Sequence, residues 1–251
     1  MAVVASGRPR ALVALGNFFF FHRNWLLTLV MLGLFSLLRP VHPGGSELRD
    51  RWLDLLGIAI ILLGQTLRAI VIGLAYIARG GKEGRVYADR LITEGCFRHC
   101  RNPLYLGNIM VYLGLFVIFN NPVGYLFGVP FILLVYASIV AAEEVYLRGK
   151  FGEEYNAYCR RVNRWLPRLR GLGRTIRGMS FSWARVVLAD YGSTYAWLST
   201  LLFLLGYERV VHAGFPHAHD TVTALLGLWV VATLAYAIVR YLKLSGRLRA
   251  N

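Results

Sequence analysis

The chain has 251 residues, 57% of them hydrophobic, and its mean hydropathy of +0.50 is too high for an ordinary soluble domain. Its formal net charge is +15. The basic residues lie between long apolar runs, which argues against nucleic acid as a partner and for orientation in a membrane with anionic headgroups.

The elements follow in chain order. Six apolar runs occupy residues 24–38, 52–78, 104–120, 122–142, 194–211 and 222–242. About 20 helical residues cross the hydrocarbon core, so the pattern predicts an all-α polytopic membrane bundle of about six spans. The first run reaches span length only with "NFFFFH", residues 17–22. It follows a short basic start without a small-residue cleavage site and reads as a retained helix. Between the third and fourth runs stands only "NNP", residues 120–122, a tight turn closing an antiparallel hairpin. After the fourth run Phe151, Tyr155, Tyr158 and Val162 share one helical face opposite Glu153, Glu154, Arg160 and Arg161, which predicts an amphipathic helix. Residues 172–190 mix Ile176, Met179 and Trp183 with Arg174, Arg177 and Arg185, as suits the headgroup layer.

Lys and Arg set the orientation. With the N-terminus cytoplasmic, 23 of the 28 fall inside, 4 fall in the outer loops, and Arg68 lies within a span. Both termini are then expected in the cytoplasm of a prokaryote bounded by this inner membrane. Cys96, Cys100 and Cys159 lie in basic segments on that side and read as ordinary reduced residues.

Two polar segments bracket the hairpin. "EGCFRHCRNPLYLGN" brings Arg98, His99, Arg101 and Asn102 to its entry, and Glu143 with Glu144 stand side by side at its exit. Arg101 can grip a carboxylate with two hydrogen bonds, Tyr105 can bond or stack, and Gly107 lets a backbone or ligand approach. The glutamates can hold an ammonium group. A zwitterion bearing both groups would find both partners here. Solvated helix-end charges are the plainer alternative, although two acids at a helix C-terminus oppose its dipole. Arg68, near Gln65 in mid-span, is expected to line a polar cavity. His212, His217, His219 and Asp220 form a weak metal pattern in an expected outer loop, and no metal site is expected. No P-loop, dinucleotide fingerprint or HExxH is present.

"LITEGCFRHCRNPLYLGN" closely resembles the signature of the integral-membrane methyltransferases that include isoprenylcysteine carboxyl methyltransferase and phospholipid N-methyltransferases. The matching positions are Gly95, Phe97, Arg101, Asn102, Pro103, Tyr105 and Gly107. Asn121–Pro122, Glu143–Glu144, "FGEEYNAY" (151–158) and "RVNRWLP" (161–167) follow in the family's order. Asn102 stands where the carboxyl methyltransferases have histidine, and Asn163 where proline is usual. The resemblance covers about residues 52–168. It sets that core apart from an N-terminal helix and outer loop (1–51) and from a C-terminal extension (169–251) with two further spans. It implies S-adenosylmethionine as cofactor, held by Arg101, Asn102, Pro103, Tyr105, Gly107, Glu144 and Tyr155. Arg101, Glu143, Glu144 and Arg68 are the candidate catalytic residues. The implied acceptor is lipophilic, foremost an isoprenylcysteine-type carboxylate, with a phospholipid amine or a small thiol as alternatives. A non-catalytic lipid-binding protein of the same fold is the alternative from another class.

Overall fold

The computed structural model describes residues 9–74 and 86–248. The last residues of the second apolar run, 75–78, and the basic stretch after them lie outside the described residues. Every long element is helical: α1 (Arg10–Leu37), α2 (Glu47–Leu74), α3 (Pro103–Phe119), α4 (Gly124–Arg161), the short α5 (Leu172–Arg177), α6 (Trp183–Ala213) and α7 (Phe215–Leu244). The chain is an all-α membrane bundle.

Among the described residues three helices, α2, α4 and α7, are by themselves long and apolar enough to cross a membrane. A fourth is reached if α1 counts as one span, although it bends by 83° between Arg10–Arg23 and Leu26–Leu37. By length and composition alone these account for three or four of the about six expected spans, and α3 is a shorter apolar helix. α3 has only 17 residues, with Pro103 in its first turn and left-handed Asn120 (φ 42°) capping its end. α6 carries Arg185, Asp190, Glu208 and Arg209 along its length.

The NNP turn closes the α3–α4 hairpin by local chemistry. Asn121 Oδ1 accepts hydrogen bonds from the Val123 and Gly124 backbone N–H groups at 2.8 and 3.3 Å. The expected amphipathic helix is the last part of α4, set off from the span at Gly152. There φ 51° and ψ −122° are open to glycine and strained for a side chain.

α2 and α3 pack antiparallel through two reciprocal glycine contacts. A Cβ on Gly64 would lie 2.7 Å from the Gly107 carbonyl oxygen, and one on Gly107 would lie 2.8 Å from that of Gly64. Gly57 and Gly114 repeat the arrangement at 2.6 and 2.5 Å. Seven residues separate the glycines on each helix, two turns, so both contacts fall on one seam and the backbones touch. The core above this seam is aromatic and aliphatic: Phe35 meets Phe116 and Phe119 edge-on or tilted, with Met31, Ile61 and Ile139 buried around them.

α6 and α7 form a second hairpin beside the core. Tyr195 stacks on Tyr236 at 4.6 Å, and Trp229 Nε1 donates to Ser199 Oγ at 3.2 Å. α7 leaves Leu226, Val231, Leu234 and Ile238 exposed, as a helix facing lipid would.

Candidate functional site

At the entry to α3, two short segments are laced together. Arg101 N–H donates to the Asn163 carbonyl and Arg168 N–H to the His99 carbonyl, both at 2.9 Å. His99 Nδ1 lies 2.6 Å from the Arg168 carbonyl and Nε2 lies 2.9 Å from Thr175 Oγ1. Asn102 Nδ2 donates to the Arg164 carbonyl at 3.1 Å, and Tyr158 Oη to the Phe97 carbonyl at 2.7 Å. The use of Asn163 is its carbonyl alone, which a proline would equally supply. Cys96 and Cys100 pack into this lacing as free thiols, and burial pushes both above the ordinary thiol pKa, so they stay protonated at neutral pH.

The lacing aims arginines at Glu144. Arg164 grips the carboxylate with two bonds, Nε to Oε1 at 2.7 Å and Nη2 to Oε2 at 2.8 Å. Arg101 Nη1 approaches Oε1 at 3.1 Å and Arg148 Nη2 approaches Oε2 at 3.7 Å. Glu144 is only 2% exposed. Both its oxygens are therefore engaged by arginines, and of the two glutamates expected to hold an ammonium group Glu143 is the one without an arginine bonded to it among the described residues. Glu144 gathers three guanidinium groups and leaves a net positive charge. Arg101 Nη1 also donates to Cys159 Sγ at 2.7 Å, while its Nε is buried with no hydrogen-bond partner.

One cavity of about 220 Å³ opens beside this cluster. Arg101, Asn102, Pro103, Tyr105, Glu143, Glu144, Tyr155 and Arg68 all line it. Tyr105 Oη donates to Glu143 Oε1. Gly107 does not line the cavity: the close approach it permits is that of the α2 backbone and the Arg68 stem. Arg68 is 2% exposed and pairs with Asp190 of α6, its Nε 3.3 Å from Oδ2 and its Nη2 bonded to Oδ1. Gln65 Nε2 reaches Asp190 Oδ2 at 2.9 Å and Thr194 Oγ1 at 3.1 Å, and Trp197 Nε1 donates to Gln65 Oε1 at 3.0 Å. The mid-span arginine is thus satisfied by a carboxylate that sequence reasoning passed over.

A second cavity of about 420 Å³ lies between the core and α6, walled by Leu27, Met31, Val111, Leu115 and Trp197. Arg23, Arg68 and Asn108 line both cavities. Together the two fall within the range of about 300–1,000 Å³ usual for small-molecule sites. Arg23, Arg148, Arg164 and Asp190 are the site residues the sequence did not single out. The arginines looked like orientation charges. Asp190 carried a signal, being one of only 13 acidic residues in a basic chain and standing four residues before an apolar run.

Residues 53–154 match the model of the phospholipid methyltransferase family. Protein-S-isoprenylcysteine O-methyltransferase B of Arabidopsis thaliana is 30% identical over 118 residues, 46% of this chain and 60% of the relative. The Rattus norvegicus protein-S-isoprenylcysteine O-methyltransferase is 30% identical over 48% of this chain and 43% of its own length. Nickel-cobalt-cadmium resistance protein NccN of Alcaligenes xylosoxydans xylosoxydans is 25% identical over 68% of this chain and 73% of the relative. The chain spans less than two thirds of the isoprenylcysteine methyltransferases it matches. No solved structure matches it.

Proposed function

We propose, for a chain whose residues 53–154 match the phospholipid methyltransferase family, that it transfers a methyl group from S-adenosylmethionine to a lipophilic acceptor. The observation that carries this reading is that Arg101, whose Nε has no hydrogen-bond partner, and the carboxylate-bearing Glu143 line one cavity. A donor left over in a cluster of net positive charge fits the cofactor's carboxylate. Glu143, held by the Tyr105 hydroxyl, fits its ammonium group. Pro103, Leu104 and Leu147 supply an apolar wall between them.

When bound, the cofactor supplies an electrophilic methyl on a sulfonium whose charge disappears in the transfer. The chain's part is to hold, orient and dry the site. Glu144 and Arg164 are positioning residues that fix Arg101. Asn102 and Tyr158 act one step further out, by fixing Arg164 and the 97–101 segment.

The acceptor enters by the second cavity in this reading, from the lipid side, and meets the cofactor where Arg23, Arg68 and Asn108 line both spaces. Arg68 has its charge offset by Asp190, and Arg101 by Glu144. Arg23, which lines both cavities and donates to the Phe20 carbonyl at 2.7 Å, is the cation we assign to an acceptor carboxylate, which favours an isoprenylcysteine-type acid over an amine or a thiol. The test is incubation of the purified protein with methyl-labelled cofactor and three acceptors: an isoprenylcysteine analogue, a phospholipid amine and a lipophilic thiol. The expected product is a base-labile methyl ester on the first. Label in the amine or thiol alone would correct the acceptor, and label in none would overturn the reading.

We place this mouth, with both termini, on the cytoplasmic side of a prokaryotic inner membrane. The 23-to-4 asymmetry of basic residues supports that orientation. An impermeant thiol reagent added from outside should label Asn121→Cys and spare Arg98→Cys and Lys150→Cys. The reverse pattern would remove the cofactor mouth from the compartment where the cofactor is made.

A further inference from the structure

At the end of the bundle away from Arg101, the loop after α1, the first turns of α2 and the last turns of α6 converge. The NNP turn joins them, Asn121 Nδ2 donating to the Arg39 carbonyl at 2.7 Å. Asp50 and Asp54 stand one turn apart on α2, and Glu208 and His212 one turn apart on α6, so each pair shares a face. His42 arrives from the loop. Its ring stacks on that of His212 with centroids 3.4 Å apart. Ligand-type atoms of His42, Asp50 and His212 all lie within 4.8 Å of one another, and so do those of Asp50, Asp54 and Glu208.

This cluster is short of partners. Asp50 is 5% exposed and Glu208 7%. Among the described residues no Lys or Arg forms an ion pair with Asp50, Asp54 or Glu208. Asp50 Oδ1, Asp54 Oδ1, Glu208 Oε1, His42 Nδ1 and His212 Nε2 are all buried without a hydrogen bond. They are five of the eight such side-chain atoms described, so the deficit is concentrated here rather than spread through the molecule. His42 Nδ1 comes within 3.0 Å of Asp50 Oδ2, yet not in a direction that makes a hydrogen bond. Three carboxylates are gathered with no Lys or Arg beside them among the described residues.

We propose that His42, Asp50, Asp54, Glu208 and His212 form a site for a divalent transition-metal ion that clips the α6–α7 hairpin to the methyltransferase core. Two imidazoles with carboxylates are the donor set of zinc, cobalt, nickel or iron rather than of the all-oxygen ions calcium and magnesium. Bonds of about 2.0–2.2 Å place tetrahedral ligand atoms about 3.3–3.6 Å apart, so small side-chain rotations bring either triad, His42–Asp50–His212 or Asp50–Asp54–Glu208, onto an ion held by the shared Asp50. A doubly charged ion offsets most of three carboxylates that otherwise meet in apolar surroundings. Most of the histidine-rich pattern singled out in the sequence lies elsewhere. The expected outer loop is instead the first turns of α7, where His219 and Asp220 are exposed. Only His212 of that group belongs to the cluster.

The proposal stands apart from the methyl-transfer reading, and its test reads metal rather than activity. Full-length protein is purified in detergent without a histidine tag, stripped with chelator and titrated with Co²⁺. The expected result is a visible d–d absorption band saturating at micromolar or lower Co²⁺, displaced by Zn²⁺. The thermal midpoint should rise by about 5 °C or more at a hundredfold excess over Kd. Asp50→Asn and His212→Gln, checked for a single gel-filtration peak, should each weaken Co²⁺ binding by about 100-fold, at least the effect of losing an outer-shell partner. The double variant His217→Gln/His219→Gln should bind as the parent does. No band with the parent protein overturns the proposal, whatever the variants do. So does a band lost only with His217 and His219. The three acids would then share protons and hold no ion.

Discussion

The two ends of this bundle solve the problem of buried charge in opposite ways. At the Arg101 mouth one carboxylate, Glu144, is surrounded by three guanidinium groups, and the surplus is positive. At the far end three carboxylates meet two imidazoles, and among the described residues no Lys or Arg pairs with the acids. The first cluster has both carboxylate oxygens of Glu144 engaged and a buried donor, Arg101 Nε, without a partner. In the second, five buried side-chain atoms lack a hydrogen bond. A surplus of one sign in a closed space identifies what it will take: an anion at the first end, a cation at the second.

The contrast can be broken by charge-neutral replacements, which should act with opposite sign at the two ends. Glu144→Gln strands three arginines and should destabilise by about 3–5 kcal/mol, seen as a fall in thermal midpoint together with loss of methyl transfer. An unchanged midpoint would mean that water, not Glu144, satisfies the arginines. Arg101→Ala leaves Arg164 on Glu144, so the fold should hold while cofactor affinity drops tenfold to a hundredfold, about 1.5–3 kcal/mol, by calorimetry. Unaltered affinity would move the cofactor away from this mouth. Asp50→Asn, measured in chelated protein, should stabilise by about 1 kcal/mol, since it removes one of three crowded acids. With Zn²⁺ present the same replacement should destabilise relative to the parent. Arg209→Ala is an exposed substitution outside both clusters and should shift the midpoint by less than about 0.5 kcal/mol.

The hairpin mouth was legible because its residues lie within short, spaced motifs: Arg101, Tyr105, Glu143 and Glu144 all line the cavity. Their pairing was not. Sequence places Arg148 and Arg164 among many orientation charges, and nothing local says that two of them turn inward to Glu144. Asp190 and Arg68 are 122 residues apart, beyond the reach of any periodicity argument. Helix positions were read well where apolar runs are uninterrupted, as in α2 and α7. Length and composition alone do not mark a span where a run is short, as in α3, or where charged residues lie along the helix, as in α6. The far cluster did leave a trace. Asp50 with Asp54 and Glu208 with His212 are pairs at four-residue spacing, set in a chain that has few acids. The eye was drawn instead to the denser histidines after Pro216.

The Arg68–Asp190 pair also bears on how the protein is made. α2 leaves the ribosome first, and its arginine enters the bilayer well before Asp190 exists. At about 5–20 residues per second the wait is about 6–24 s. During that interval Arg68 is an unaccompanied cation, costly at depth, whose easiest refuge is the membrane surface. α2 therefore has reason to sit shallow or tilted until α6 arrives, and the arrival of Asp190 draws it to its final depth. Nascent chains arrested before residue 190 should leave Arg68 open to aqueous reagents, and chains arrested beyond α6 should shield it.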